Sequence, residues 1–346
     1  MSKPPISVKL DTSPLGNAHA HRGIGIYTQL LANGLKHHSA VKLLTDGRRP
    51  DIIHYPYFDL YFSTLPLRHS VPSVVTIHDV IPLLFPEHYP PGVKGWGRYL
   101  RQWLALRRVA LVITDSASSK MDIARHLKVS AEHIRVVPLA ANPDIVEQSP
   151  SRVDTVRRRY GIPPRYLLYV GDINYNKNIP QLIKALKYFD DNITLVLFGK
   201  HFVAQNIPEW QAIELQLAMS NVTEQVILVN DIGGDRPDDL AALYTGAAVY
   251  IQPSLAEGFG LPVLEAMQCR TPVVASNTSA LPEVGGDHAV YADPSAEQLA
   301  EAIKDVLSWG TTHRNQWTLA AKSWANNFSW PKVVEQTLAV YRQVLT

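Results

Sequence analysis

The stretch VYIQPSLAEGFGLPVLEAM, residues 249–267, changes character twice along its length. It opens as a short apolar run rich in β-branched and aromatic residues, which reads as a strand. The loop LAEGFGL follows, in which Gly258 and Gly260 permit positive φ and close approach of a ligand to the backbone. Pro262 then opens a helical segment through about Cys269, as proline suits a first turn whose N–H groups have no intrahelical partner. Strand, glycine turn and helix in succession make a βα unit of a parallel sheet. The first-turn N–H groups and the helix dipole make that turn an anion site suited to a phosphate. Glu257 stands before the turn, and Glu265 reads as part of the helix's first turn, where it can accept two hydrogen bonds from a vicinal diol such as a ribose. An anion-binding turn flanked by two hydroxyl-binding carboxylates suits a nucleotide diphosphate sugar. A plainer reading serves the same residues: glycines make turns, and a glutamate near a helix start is stabilised by the dipole alone.

Outward from this segment the same alternation of apolar run and helical pattern recurs. Towards the N-terminus the runs are ISVKL (6–10), DIIHY (51–55), SVVTIH (73–78), ALVITDS (110–116) and IRVVPLA (134–140). In the second half they are YLLYVGD (166–172), ITLVLFGK (193–200), VILVNDI (226–232), VYIQPS (249–254), TPVVASN (271–277) and AVYADP (289–294). Continuous β-branched runs, unlike in/out alternation, mark strands covered on both faces. The alternation stalls once, over residues 141–165, a polar segment rich in proline and arginine that reads as a domain linker. The expected fold is α/β: two facing Rossmann-like domains with parallel sheets and an interdomain cleft. The N-terminal domain is expected over 1–155 and the C-terminal one over 156–328. FSWPKVVEQTLAVYRQVL (328–345) has apolar residues at helical spacing, so 329–346 reads as a closing helix.

The bulk numbers bound the rest. Of the 346 residues 46% are hydrophobic and 18% charged, which excludes a disordered chain. A formal net charge of +2 makes no case for nucleic acid as a partner. The single cysteine, Cys269, excludes an internal disulfide and a cysteine zinc cluster, and fits a reducing compartment. MSKPPISVKLD lacks the apolar core of a signal peptide, and no apolar run approaches the ~20 residues that span a bilayer. A cytoplasmic protein is expected, with peripheral contact at a membrane surface still open.

AEGFGLPVLEAM, followed by TPVVASNTSALPEVGG, resembles the signature of the retaining glycosyltransferases of family 4, whose architecture is GT-B. The resemblance implies that Glu257 lies by the donor sugar and that Glu265 binds the donor ribose, with the turn Gly258, Phe259, Gly260 and Leu261 on the diphosphate. After the strand YLLYVG, the loop DINYNKN (172–178) places Lys177 and Asn178 where the family carries a basic residue six after a glycine, here Gly171. A lysine there neutralises charge on the departing diphosphate; read plainly, it is a solvated surface lysine. Gly23, Ile24 and Gly25 resemble the family's glycine-rich loop ahead of a helix beginning near Ile26, with Arg22, His19 and His21 beside it. His78, in the string TIHD, corresponds to a histidine near the donor sugar. Asp79 stands where an acceptor hydroxyl could approach, or simply caps the next turn. Base contacts are expected around Gly199–His201 and Val229–Asp231.

Two positions depart from the family. Asp172 follows Gly171 where arginine or threonine is usual, and a carboxylate beside a diphosphate is repulsive unless turned away. Arg270 stands where glycine is usual.

KGWGRYLRQWLALRRVAL (94–111) segregates Trp96, Leu100, Trp103, Leu104 and Leu111 from Lys94, Arg98, Arg101 and Arg108 on a helical wheel. A basic amphipathic helix with tryptophan can lie on an anionic membrane. The alternative is a helix packing its apolar stripe on its own sheet; Arg107, on the apolar side, fits neither.

The expected activity is transfer of a hexosyl group, of mannosyl or glucosyl type, from a nucleotide diphosphate sugar to a glycan or lipid-linked hydroxyl. Retention of configuration is implied by the resemblance, and no metal or other cofactor is expected. A nucleotide-sugar-binding protein without transferase activity and a sugar-nucleotide epimerase are the alternatives.

Overall fold

The computed structural model describes residues 4–16, 23–189, 193–230 and 236–346. The chain divides into two compact units, Met1–Ala140 with Phe328–Thr346, and Ala141–Asn327. Residues 141–155 therefore belong to the second unit. There Ser149 accepts a hydrogen bond from the Arg152 amide (3.3 Å) and starts the helix Pro150–Arg159, which packs on the helix Pro237–Gly246.

Each unit is built on one six-stranded sheet, and all the pairings in both are parallel. In the first, β1 (Ile6–Leu10), β2 (Val41–Leu43), β3 (Ile52–Tyr55), β4 (Ser73–Thr76), β5 (Leu111–Thr114) and β6 (Ile134–Val136) run in the order β2-β1-β3-β4-β5-β6. In the second, β7 (Tyr166–Val170), β8 (Thr194–Phe198), β9 (Val226–Val229), β10 (Val249–Gln252), β11 (Val273–Ser276) and β12 (Val290–Ala292) run in the order β12-β11-β10-β7-β8-β9. β2, only VKL, has no counterpart among the apolar runs of the sequence.

Burial explains the run-like composition. SVVT, LVIT, YLLYV, VYIQ and VVAS are buried at every position, because helices cover both faces of the inner strands. β2 and β9, at sheet edges, each expose a residue. The strand order reverses between β1 and β3 in the first sheet and between β7 and β10 in the second. In open α/β sheets the crevice for a ligand lies at such a reversal, beyond the strands' carboxyl ends.

The helix Trp330–Leu345 completes the first unit. It packs on the helix Gly23–His37, where Val334 occupies the space a Cβ on Gly34 would need. Tyr341 carries its hydroxyl to His54 Nδ1, 2.7 Å away, and His54 Nε2 lies 2.8 Å from Thr76 Oγ1. Burial depresses the His54 pKa to about 3, so the ring is neutral and suits these neutral partners.

The amphipathic stretch departs from the reading in which its apolar stripe packs on its own sheet. The helix covers Gly92–Leu106, and Leu111 already belongs to β5. Its buried side is Gly95, Gln102, Ala105 and Leu106, while Trp96, Leu100 and Leu104 are 59%, 55% and 47% exposed. The apolar stripe thus does not pack on its own sheet. Arg107, just past the helix, lays its guanidinium over the Trp103 ring at 4.1 Å, a cation–π contact that accounts for its place on the apolar side.

Candidate active site

In the second unit the site grows from the neighbouring strands β7 and β10. The chain leaves β7 through Gly171, where a Cβ would meet the Tyr169 hydroxyl at 2.6 Å; that hydroxyl donates to the Asp172 carbonyl. A short turn, Tyr175–Lys177, ends at Asn178 in the left-handed region (φ 57°). Two asparagines then fasten this loop to the segments beyond β10 and β12. Asn176 Nδ2 donates to the Ala256 carbonyl (2.9 Å), and the Asn176 carbonyl accepts from the Leu255 amide (2.7 Å). Asn178 Nδ2 donates to the carbonyls of Pro253 (3.0 Å) and Pro294 (2.7 Å).

This lacing sets Lys177 against Glu257. The ammonium donates to both carboxylate oxygens at 2.8 Å, and only about a fifth of the lysine side chain is exposed. Lys177 is therefore not a solvated surface residue. Glu257 Oε1 also accepts from Gln252 Nε2 (2.8 Å) and Ser254 Oγ (2.6 Å), and Tyr250 donates to Gln252 Oε1, fixing which way the amide faces. Ser279 holds the Glu257 backbone, accepting from its N–H (3.0 Å) and donating to its carbonyl (2.6 Å). Gln252, Ser254 and Ser279 were not singled out in the sequence. The first two were visible as polar residues closing the apolar run VYIQPS; Ser279 gave no signal.

Beyond Glu257 the residues Gly258, Phe259 and Gly260 are buried. Gly260 adopts φ 107°, and a Cβ there would approach Leu281 Cδ2 to 2.8 Å, so the turn requires glycine twice over. The helix that follows is Leu261–Gln268, with Pro262 in its first turn and Gly260, which has no side chain to cap with, at its N-cap. Glu265 is its fifth residue, just past the first turn, because the helix begins one residue earlier than the sequence implies. Its Oε2 accepts from the Tyr244 hydroxyl at 3.0 Å. Burial pushes its pKa up to about 7, against the hydrogen bonds from Tyr244 and the Asn142 backbone, which lower it.

The unusual Asp172 is engaged locally. Its Oδ1 accepts from the Ile173 amide at 2.8 Å and lies 2.9 Å from His201 Nδ1. Gly199 follows β8 directly beside the Gly171 carbonyl, where a side chain would collide. Asp231 lies outside the described residues, as do His19, His21 and Arg22.

In the first unit Gly23, Ile24 and Gly25 form the first turn of the helix Gly23–His37, not a loop ahead of a helix starting near Ile26. Four residues past Gly23, Tyr27 meets the His78 ring edge-on at 4.8 Å, and its hydroxyl lies 3.1 Å from Thr76 Oγ1. His78 Nδ1 lies 2.7 Å from Asp115 Oδ2, and Nε2 lies 3.2 Å from the Pro56 carbonyl. Burial disfavours a charge on this ring, but Asp115 outweighs it and the His78 pKa is raised. Asp115 follows β5 near the end of the run ALVITDS and is 1% exposed; a carboxylate at the end of so buried a run is the available sign of a partner. Asp79 Oδ1 accepts from the Ile81 amide (2.9 Å), as a turn-capping aspartate does.

The candidates thus gather in two groups. Gly171, Lys177 and Asn178 meet Glu257 and the turn Gly258–Leu261 at the β7/β10 reversal, with Glu265 on the helix that follows. Gly23, Ile24, Gly25, His78 and Asp79 lie in the other unit, beyond the carboxyl ends of β1 and β4. Among the described residues no three His, Cys, Asp or Glu side chains converge as a metal would need.

Residues 11–145 match the family described as Glycosyltransferase Family 4, and residues 153–324 match Glycosyl transferases group 1. O-antigen chain mannosyltransferase B of Escherichia coli is 31% identical over 282 residues, which cover 78% of this chain and 70% of that protein. The serotype-specific mannosyltransferase WbdA of Escherichia coli is 26% identical over 308 residues; the match spans 86% of this chain but only 37% of WbdA. Among solved structures, Anabaena HepE in complex with UDP and glucose superposes with a TM-score of 0.72 at 19% identity, covering 98% of this chain and 100% of that one. Two parallel six-stranded units of this order, matched along nearly their whole length by such relatives, identify the chain as a member of glycosyltransferase family 4, a glycosyltransferase of GT-B fold.

Proposed function

We propose that this glycosyltransferase moves a hexosyl residue, of mannosyl or glucosyl type, from a nucleotide diphosphate sugar to a hydroxyl acceptor, with retention and without a metal. The observation that carries this reading is the Lys177–Glu257 ion pair at the β7/β10 reversal, beside an uncapped helix N-terminus. Lys177 and the first turn after Gly260 supply the positive charge a diphosphate needs, which a metal would otherwise bring. Glu257 positions the sugar and Glu265 accepts from the ribose hydroxyls. In the transfer the bond from the anomeric carbon to the diphosphate oxygen breaks. The acceptor oxygen bonds to the same face, and its proton passes to the leaving diphosphate.

Relatives named as O-antigen mannosyltransferases favour a mannosyl donor and a growing glycan as acceptor, and the neighbour HepE was solved with UDP and glucose. A binding protein or an epimerase finds no support among the relatives, which are transferases. The exposed Trp96, Leu100 and Leu104, flanked by Arg98 and Arg101, fit peripheral contact with an anionic bilayer carrying a lipid-linked acceptor. No helix among the described residues is long and apolar enough to cross a membrane.

A thermal-shift series over GDP-mannose and UDP- and ADP-hexoses tests the donor, since a ligand of the native state raises Tm. Transfer from the best stabiliser is then followed by the anomeric configuration of the product, with and without EDTA. An inverted product refutes retention, and loss of transfer in EDTA refutes the metal-free route.

A further inference from the structure

The His78 ring faces an acceptor at each nitrogen. Asp115 Oδ2 lies 2.7 Å from Nδ1 and the Pro56 carbonyl 3.2 Å from Nε2. A carbonyl oxygen can only accept, so Nε2 carries a hydrogen. Either neutral tautomer leaves a ring lone pair against an oxygen lone pair, at Nδ1 or at Nε2, as long as Asp115 is ionised. The imidazolium alone donates at both positions.

Burial raises the Asp115 pKa and so opposes the ion pair, while His78 and Asp115 each favour the charged form of the other. Asp115 is 1% exposed, and its Oδ1 has no hydrogen-bond partner among the described residues, so His78 is its described counter-charge. Among the described residues, the titratable groups that face His78 are Asp115 just past β5, Asp79 beside it in the chain, Tyr27 on the helix Gly23–His37, and His54 on β3. Asp115 and Asp79 favour the charge. His54 is neutral, and Tyr27 turns its ring edge-on while its hydroxyl meets Thr76.

We propose that Asp115 is a positioning residue for glycosyl transfer: it holds His78 as an imidazolium whose two N–H groups are both engaged within the first unit. His78 then serves as a fixed positive charge and not as a proton carrier, because neither nitrogen is free to take a proton from an acceptor. This rests on the transferase reading above for its consequence in catalysis, but the protonation state itself is independent of it.

The full chain labelled with 15N in histidine tests it. Long-range proton–nitrogen spectra at pH 7.5 should show both His78 nitrogens protonated, the signal being assigned by its loss in His78→Gln. In Asp115→Asn the ring should carry a single proton at the same pH. The alkaline limb of kcat/KM should move towards acid by ~1 pH unit or more, as expected when an adjacent opposite charge is removed. Asp115→Glu should restore the double protonation in part. A neutral His78 in the wild-type protein overturns the proposal, whether or not either variant folds. So does an unchanged pH profile in a folded Asp115→Asn. Absence of transfer from every donor, with His78 doubly protonated, would instead refute the reading of function and leave the dyad standing.

Discussion

Lys177 Nζ lies 2.8 Å from each carboxylate oxygen of Glu257, so the cation expected to meet the donor diphosphate is already occupied by the carboxylate expected to meet the sugar. A diphosphate entering the site competes with Glu257 for the same ammonium. The two residues should therefore respond oppositely to substitution. Glu257→Gln keeps the amide-sized shape but frees Lys177, so it should bind a nucleoside diphosphate several-fold more tightly while kcat falls about 100-fold. Lys177→Ala should weaken nucleoside diphosphate binding and lower kcat by about 100- to 1,000-fold. Calorimetric titration with steady-state kinetics on both variants decides it; parallel losses of affinity would show that the pair does not compete with ligand.

Glu265 gives a pH signature. With a folded pKa of about 7 against an ordinary value of 4.5, it binds a proton more tightly in the folded state. Its contribution to stability is complete below pH 4.5 and is lost as pH rises through about 7. The shift corresponds to roughly 3 kcal/mol. Donor affinity should run the other way, rising between pH 6 and pH 8 as the carboxylate ionises and can accept two ribose hydrogen bonds. Glu265→Gln should flatten both curves, read by Tm and by donor Kd over that range.

Arg270 occupies the left-handed region at φ 58°, where the family's glycine would carry no penalty. Its Nη1 stands 3.7 Å from Glu147, a partly exposed pair of small value that Lys322 also serves at 2.9 Å. Arg270→Gly should therefore stabilise the protein by about 1 kcal/mol, the left-handed cost outweighing the lost pair. Chemical denaturation measures it, and a lower midpoint would mean that the ion pair matters more than the backbone.

The exposed face of the helix Gly92–Leu106 should bind vesicles containing anionic lipid and release them at high salt. Replacing Trp96, Leu100 and Leu104 together by serine should reduce sedimentation with such vesicles by about tenfold or more. Because all three are exposed, Tm should hold. Equal sedimentation of the variant would remove the membrane from the account.

Much of the architecture was open to reading because a parallel sheet buried on both faces writes itself as apolar runs. YLLYV and VVAS needed no alignment to be seen as strands. VKL at 41–43 escaped because three residues at a sheet edge carry too little pattern. Within the site, the turn around Gly260 was legible from local chemistry, since its conformation depends on neighbours in sequence. Asp115 and Ser279 were not, because each acts on a residue distant in the chain and only the fold brings them together. The stripe on Gly92–Leu106 left two readings open for a related reason: its periodicity is genuine, but periodicity does not say which face the rest of the unit covers.

The helix Trp330–Leu345 belongs to the unit that begins the chain, while the second unit is an unbroken stretch in between. Vectorial synthesis therefore presents the ribosome's product out of order: the second unit can consolidate first, and the first waits with His54 and the groove along Gly23–His37 uncovered until Tyr341 emerges. A nascent chain arrested before residue 328 would hold a finished half and an unfinished one, and chaperone capture should concentrate on the half made earliest.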